Sequence, residues 1–139
     1  MVKRKIKANI KQESDSKKKI LIIEDEIPLL ELLADKFQSE GFYAICAKSA
    51  EQGIKLAQKN KPDLILLDII LPKMDGLSML KLLRKNKWGE NVPVIILSNL
   101  SDQEKITQAM EIGIYDFLVK TNVKLKDLIL EVKEALEFG

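Results

Sequence analysis

At 139 residues the chain has room for one domain with a substantial hydrophobic core, and not for two. It contains no histidine and a single cysteine, Cys46, which removes the usual imidazole base of serine hydrolases, the commonest zinc ligand and any internal disulfide. The net charge of +2 conceals two unlike parts: residues 1–19 hold eight Lys or Arg against Glu13 and Asp15, a balance of +6, while residues 20–139 hold fifteen against nineteen acids, a balance of −4.

Residues 1–18 offer few apolar side chains, Val2, Ile6, Ala8 and Ile10, too few to offset the entropy of ordering them, and a disordered basic leader is expected. Val2, Ile6 and Ile10 fall at helical spacing, which leaves open a basic amphipathic helix meeting a membrane surface or nucleic acid. The leader lacks the apolar core of a secretory signal. No stretch approaches the roughly 18 to 20 apolar residues of a membrane span, so a soluble, cytoplasmic protein is expected.

From Lys19 onward short apolar runs alternate with longer helical patterns, the texture of a βα series. Ile20 to Ile23 reads as the first strand; Leu29, Leu33 and Phe37 then recur at helical spacing until Gly41 supplies a stop. Phe42 to Ala47 reads as a short second strand with Cys46 as a buried core thiol. Ser49 with Gln52 matches a capping box that opens a helix through about Lys59, and Pro62 cannot continue it. Leu64 to Leu67 is the third strand. Leu77, Leu80 and Leu83 mark the next helix, with Asp75 as its candidate N-cap and Trp88 as a cap over its far end. Val94 to Leu97 is the fourth strand. Ser101 with Glu104 repeats the capping box, Gly113 ends that helix, and Tyr115 to Val119 is the fifth strand. Leu125, Leu128, Ile129, Val132 and Leu136 form the stripe of a last helix. Strands one, three and four are apolar throughout, as central strands covered on both faces are. With right-handed crossovers, five such units predict an α/β, flavodoxin-like (βα)5 three-layer sandwich over residues 19–139, its parallel five-stranded sheet in the order 2-1-3-4-5.

Polar residues gather at the strand ends. Glu24 and Asp25 follow strand one, Asp68 ends strand three, Ser98 follows strand four and Lys120 follows strand five. In a parallel sheet these are all carboxyl ends, where open α/β sheets place their sites, so five residues distant in sequence converge on one crevice. Three carboxylates meeting one lysine repel each other unless a cation joins them, and an oxygen-rich site suits Mg2+. Asp68, the most central, is the natural nucleophile, because aspartate can accept a phosphoryl group as an acyl phosphate. The Ser98 hydroxyl and the Lys120 ammonium could then neutralise phosphoryl oxygens. A structural salt bridge between Lys120 and Asp68 is the competing reading.

The blocks KILIIEDE (Lys19 to Glu26), LILLDIILPKMDG (Leu64 to Gly76), VPVIILSN (Val92 to Asn99) and GIYDFLVKT (Gly113 to Thr121) resemble the receiver domain of two-component response regulators, the CheY-like superfamily, from about Lys19 to Phe138. The resemblance implies that Asp68 is the phosphoacceptor and that Mg2+ is held by Asp25 and Asp68 directly, by Glu24 through water and by the backbone carbonyl of Ile70. It implies that Ser98 and Lys120 contact the phosphoryl group and that Ser98 and Phe117 form a switch. The implied donor is a sensor histidine kinase or a histidine phosphotransfer protein, and water later removes the group from Asp68. The implied output is a face formed by the fourth helix, fifth strand and fifth helix, which could bind a downstream protein target or a second copy in a phosphorylation-dependent homodimer. Such a protein is a switch that assists its own phosphorylation and dephosphorylation rather than an enzyme, and its receiver makes no direct contact with nucleic acid. No effector domain is visible after the last helix, so a stand-alone receiver and one domain of a longer protein are both open.

Two features depart from the family's pattern. Thr121 stands where proline usually follows the lysine in a cis peptide. A cis bond before a non-proline residue costs about 3 to 4 kcal/mol, against under about 1 before proline, so a trans Lys120–Thr121 bond and a reshaped loop are expected. Ile70 and Leu100, which in the family flank the path of the attacking water, are apolar and cannot orient it, which predicts a long-lived phosphoryl state; both could instead pack against neighbouring helices. Two rivals remain. A receiver-like interaction module without phosphorylation would keep the fold and lose metal binding, and a phosphate-ester hydrolase would need a general acid two residues after Asp68, where Ile70 sits.

Overall fold

The computed structural model describes residues 17–99 and 103–138. Five strands are present there: β1 (Lys19–Ile23), β2 (Tyr43–Ala47), β3 (Leu64–Asp68), β4 (Val94–Ser98) and β5 (Asp116–Val119). They alternate with α1 (Ile27–Ser39), α2 (Ala50–Asn60), α3 (Gly76–Lys85), α4 (Gln103–Ile112) and α5 (Leu125–Phe138), and a 3-10 turn at Lys87–Gly89 precedes β4. Neighbouring strands all pair in parallel, in the order β2-β1-β3-β4-β5, as the βα alternation predicts. Residues 1–16 of the expected leader, Leu100 and the Ser101 cap lie outside the described residues.

The uninterrupted apolar runs reflect two cores on either side of one sheet. Ile20, Ile22, Leu64, Leu66, Ile95 and Leu97 face α1 and α5 and pack with Leu33, Phe37, Leu128 and Val132. Leu21, Ile23, Ile65, Leu67, Val94 and Ile96 face α2, α3 and α4 and pack with Ala57, Leu80, Leu83 and Ala109. Full burial of one such side chain contributes about 1.5–3 kcal/mol, so the three central strands hold the sandwich together. Edge strand β5 is only partly buried along its length.

Local signals account for the boundaries. Ser49 Oγ accepts from the Gln52 N–H at 3.2 Å and Gln52 Oε1 accepts from the Lys48 N–H at 2.8 Å, a reciprocal cap on α2. Asp75 caps α3 by accepting from the Ser78 N–H at 2.9 Å. The buried stripe of α1 is Leu30, Leu33, Ala34 and Phe37, with the expected Leu29 only half-buried. β3 and β4 run one residue beyond their apolar runs, so Asp68 and Ser98 are buried last residues of strands. Trp88 packs half-buried against the α2–α4 core.

Cys46 corrects the sequence reading. It is exposed, not buried, because β2 is an edge strand. Ile45 and Ala47 turn to the α2–α4 side and are buried, whereas Cys46 turns to the opposite side and stays exposed.

Candidate functional site

Strand alternation decides which polar residues meet. Glu24, Asp68 and Lys120 continue the positions that face α1 and α5, and Asp25 and Ser98 continue the opposite face. Glu24 and Asp68 therefore stand side by side at the carboxyl ends of the paired strands β1 and β3, and Lys120 reaches over from the end of β5. Its Nζ donates to Asp68 Oδ2 at 2.8 Å and to Glu24 Oε1 at 3.2 Å, with the exposed Glu26 carboxylate 3.8 Å away. Backbone N–H groups complete the arrangement: that of Ile70 donates to Asp68 Oδ1 at 3.1 Å and that of Glu26 to Glu24 Oε1 at 3.2 Å.

The charges do not balance. Glu24, Asp25 and Asp68 bring carboxylate oxygens within 4.8 Å of one another, and Lys120 supplies one ammonium, which leaves two negative charges in excess when all three acids are ionised. Glu24 and Asp68 are 0% and 4% exposed, so that excess is held largely out of water. Burial, followed by the Asp68 charge, pushes the Glu24 carboxyl up to about 7. Burial also pushes Asp68 upward, against the pull of Lys120. For Lys120 burial acts downward, but its bonds to Asp68 and Glu24 outweigh it and keep the ammonium above its ordinary value.

Two buried oxygens are left over. Glu24 Oε2 lies 3.1 Å from Lys120 Nζ without the alignment of a hydrogen bond, and it and Ser98 Oγ have no hydrogen-bond partner among the described residues. A divalent cation fits these residues: it would cancel the two excess charges and give Glu24 Oε2 a partner. Ser98 pairs with Val119 and Ile96 with Phe117, so Ser98 and Phe117 share the α4 side of the sheet. Phe117 is half-buried there, bordering a groove with Ile106, Thr107 and Met110. The Lys120–Thr121 bond is trans, like every described peptide bond.

A family model described as the response regulator receiver domain matches residues 20–133. The chain belongs to the receiver family. It is 35% identical over 103 residues to the alkaline phosphatase synthesis transcriptional regulatory protein PhoP of Bacillus subtilis, covering 74% of this chain and 42% of that protein. Among solved structures, the Francisella response regulator 1452 receiver domain matches with a TM-score of 0.78 at 30% identity, over 87% of this chain and 98% of that one. The CheY-like receiver domain protein of Methanospirillum hungatei matches with a TM-score of 0.83 at 26% identity, over 88% and 96%. The chain spans about half or less of the length of the curated relatives it matches. Receiver domains are phosphoacceptor switches of two-component signalling and bind Mg2+ at an acidic pocket; the acidic cluster of this chain is Glu24, Asp25 and Asp68. No described helix is long and apolar enough to cross a membrane.

Of the residues singled out in this receiver's sequence, Glu24, Asp25, Asp68 and Lys120 come together. Ser98 ends the strand between β3 and β5, and the Lys120 N–H donates to its carbonyl at 2.8 Å. Ile70 turns its N–H to Asp68 while its side chain is 41% exposed, so it does not pack into a helix interface. Phe117 stands apart, on the face away from Lys120. Two residues escaped the sequence reading. Glu51, in the first turn of α2, accepts from the Met74 N–H at 3.2 Å, and Arg84, in the last turn of α3, binds three backbone carbonyls. An acid opening a helix and a cation closing one read as partners of the helix dipole, and nothing in their spacing points further.

Proposed function

We propose that this receiver is a phosphorylation-controlled switch in which Asp68 takes a phosphoryl group from a phosphohistidine on a sensor kinase or phosphotransfer protein. The observation that carries this reading is the buried Asp68 carboxylate, bonded to Lys120 at 2.8 Å inside a three-carboxylate cluster with charge to spare. An Asp68 oxygen attacks phosphorus; the new O–P bond forms as the N–P bond to the donor imidazole breaks, and the leaving nitrogen takes up a proton. Asp25 and Asp68, the Ile70 carbonyl and, through water, Glu24 would hold Mg2+, which when bound neutralises charge on the transferring oxygens. Lys120 already touches Asp68 and can follow a phosphoryl oxygen, and the Ile70 N–H holds the carboxylate plane.

Phosphorylation then acts by population shift. Ser98 Oγ has no partner among the described residues, and a phosphoryl oxygen on Asp68 would offer it one. Drawing Ser98 toward that oxygen frees space on the α4 side, which Phe117 can enter, and the face formed by α4, β5 and α5 changes shape toward a downstream target or a second copy. Residues 19–139 form this unit and the basic leader lies outside it. The exposed apolar side chain of Ile70 offers nothing to orient an attacking water, which lengthens the life of the phosphoryl group.

Asp68→Asn tests the proposal. It should abolish labelling by a small phosphodonor with Mg2+, and with it the response of α4–β5–α5 amide resonances to beryllofluoride. Retention of both labelling and response would sink it.

A further inference from the structure

The loop after Asp68, residues 69–75, is closed at its base and braced near its tip. At the base the Gly76 N–H donates to the Ile69 carbonyl at 3.0 Å. A Cβ at Gly76 would come within 2.8 Å of Asp68 O and Ile69 Cα, so glycine alone lets α3 begin this close to β3. At the tip Lys73 is held at a φ of +64°, a left-handed conformation that is strained for a non-glycine residue. Beside it, the Met74 N–H donates to Glu51 Oε1 at 3.2 Å. Asp75 also pairs with Lys105 of α4 at 3.6 Å, but those side chains are 35% and 39% exposed, and pairs of that kind contribute little. The half-buried bond to an ionised acceptor is the stronger brace.

Glu51 is itself rigidly placed. It lies between the Ser49 cap and Gly53, where a Cβ would approach Ile23 Cδ1 to 2.6 Å, so α2 begins flush against the end of β1. One carboxylate thus links the strand end that carries Glu24 and Asp25 to the loop that carries Ile70. We propose that Glu51 is a positioning residue for the Asp68 site. By holding the 69–75 loop in its strained shape, it keeps the Ile70 backbone turned to Asp68, and so sets metal affinity and the rate of phosphoryl transfer while touching neither metal nor phosphoryl group. This rests on the reading of Asp68 as an Mg2+-dependent phosphoacceptor.

The test titrates Mg2+ into the full chain and into Glu51→Ala, Glu51→Gln and Gln52→Ala, following the Asp68 and Ile70 amide resonances, and then labels each with phosphoramidate. Gln52→Ala removes the bond to the Lys48 N–H in the same helical turn and leaves the loop untouched, so it reports what a weaker α2 does by itself. Glu51→Ala should raise the Mg2+ dissociation constant about tenfold, the lower end of what outer-shell supports are worth, with the labelling rate falling in step. Glu51→Gln keeps an acceptor oxygen and should recover most of the affinity; Gln52→Ala should match wild type. Wild-type Mg2+ affinity and labelling in both Glu51 variants would overturn the inference and leave the Asp68 reading intact, as would equal weakening in Gln52→Ala. A wild-type chain that neither binds Mg2+ nor takes label would overturn both.

Discussion

The two ends of the sheet treat buried charge in opposite ways. At the amino ends of β4 and β5 the half-buried Arg84 guanidinium donates to the Gly89, Val92 and Gly113 carbonyls at 2.7 to 3.2 Å. Close by, the Lys19 N–H donates to the Asp63 carboxylate at 2.8 Å and the Asp63 N–H to the Lys19 carbonyl at 2.9 Å. At the carboxyl ends two buried carboxylates, Glu24 and Asp68, share a single lysine beside the exposed Asp25, and Glu24 Oε2 and Ser98 Oγ go without hydrogen bonds among the described residues. Folding completes the first end. It leaves the second with charge and hydrogen-bonding capacity that a ligand can meet, the usual exchange of stability for reactivity.

Breaking the satisfied end should cost most. Arg84→Ala strands three carbonyls and should lower stability by about 3 kcal/mol or more, seen as a fall in the denaturant midpoint; a loss under about 1 kcal/mol would show that water replaces the guanidinium freely. At the other end Mg2+ should raise stability by about 2.7 kcal/mol at a hundredfold excess over its dissociation constant. Asp68→Asn should remove most of that increment and, without Mg2+, should unfold at a higher temperature than wild type, because it takes away a buried charge. A lower midpoint would contradict the contrast between the ends. Ile70→Asn comes next: it should shorten the phosphoryl lifetime several-fold and barely move the melting temperature, since the side chain is exposed. An unchanged or longer lifetime would show that the apolar side chain protects nothing.

The smallest effect belongs to a carboxyl pair between the start of β5 and α5. Hydrogen bonding to Asp116, then burial and the charges of Asp116 and Glu134, raise the Glu131 carboxyl from 4.5 to about 7. Because the folded value lies above the unfolded one, its contribution is fully present below about 4.5 and is lost as pH rises through about 7. Glu131→Gln should therefore melt about 2 °C above wild type at pH 8, discounted for partial exposure, and should lose that advantage at pH 4. Equal shifts at both pH values would mean that its surroundings do not raise the Glu131 carboxyl.

What could be read from the sequence followed the range of the interactions. The βα alternation and the Ser49 and Asp75 caps depend on neighbours within a few residues, and Asp68, Ser98 and Lys120 stand out because each interrupts an apolar run. Leu30 in place of Leu29 is the one-position slack that periodicity allows. Alternation misplaces Cys46 because it shows which residues share a face and not how deeply each position of an edge strand is buried. The Glu51–Met74 and Arg84–Gly113 bonds were invisible because they join residues 23 and 29 apart through side chain and backbone, and a backbone partner leaves no mark in composition.

Cys46 is the only thiol in the chain and stands on β2, at the sheet edge opposite β5. A thiol-directed label therefore lands at one place, across the sheet from Phe117. Desolvation first and Asp35 second hold this thiol above its ordinary value, so coupling belongs at mildly alkaline pH, where more thiolate forms. With a second label introduced on α4, a probe at Cys46 becomes a fixed origin, and movement of the α4 side of the molecule becomes a distance read from the opposite edge.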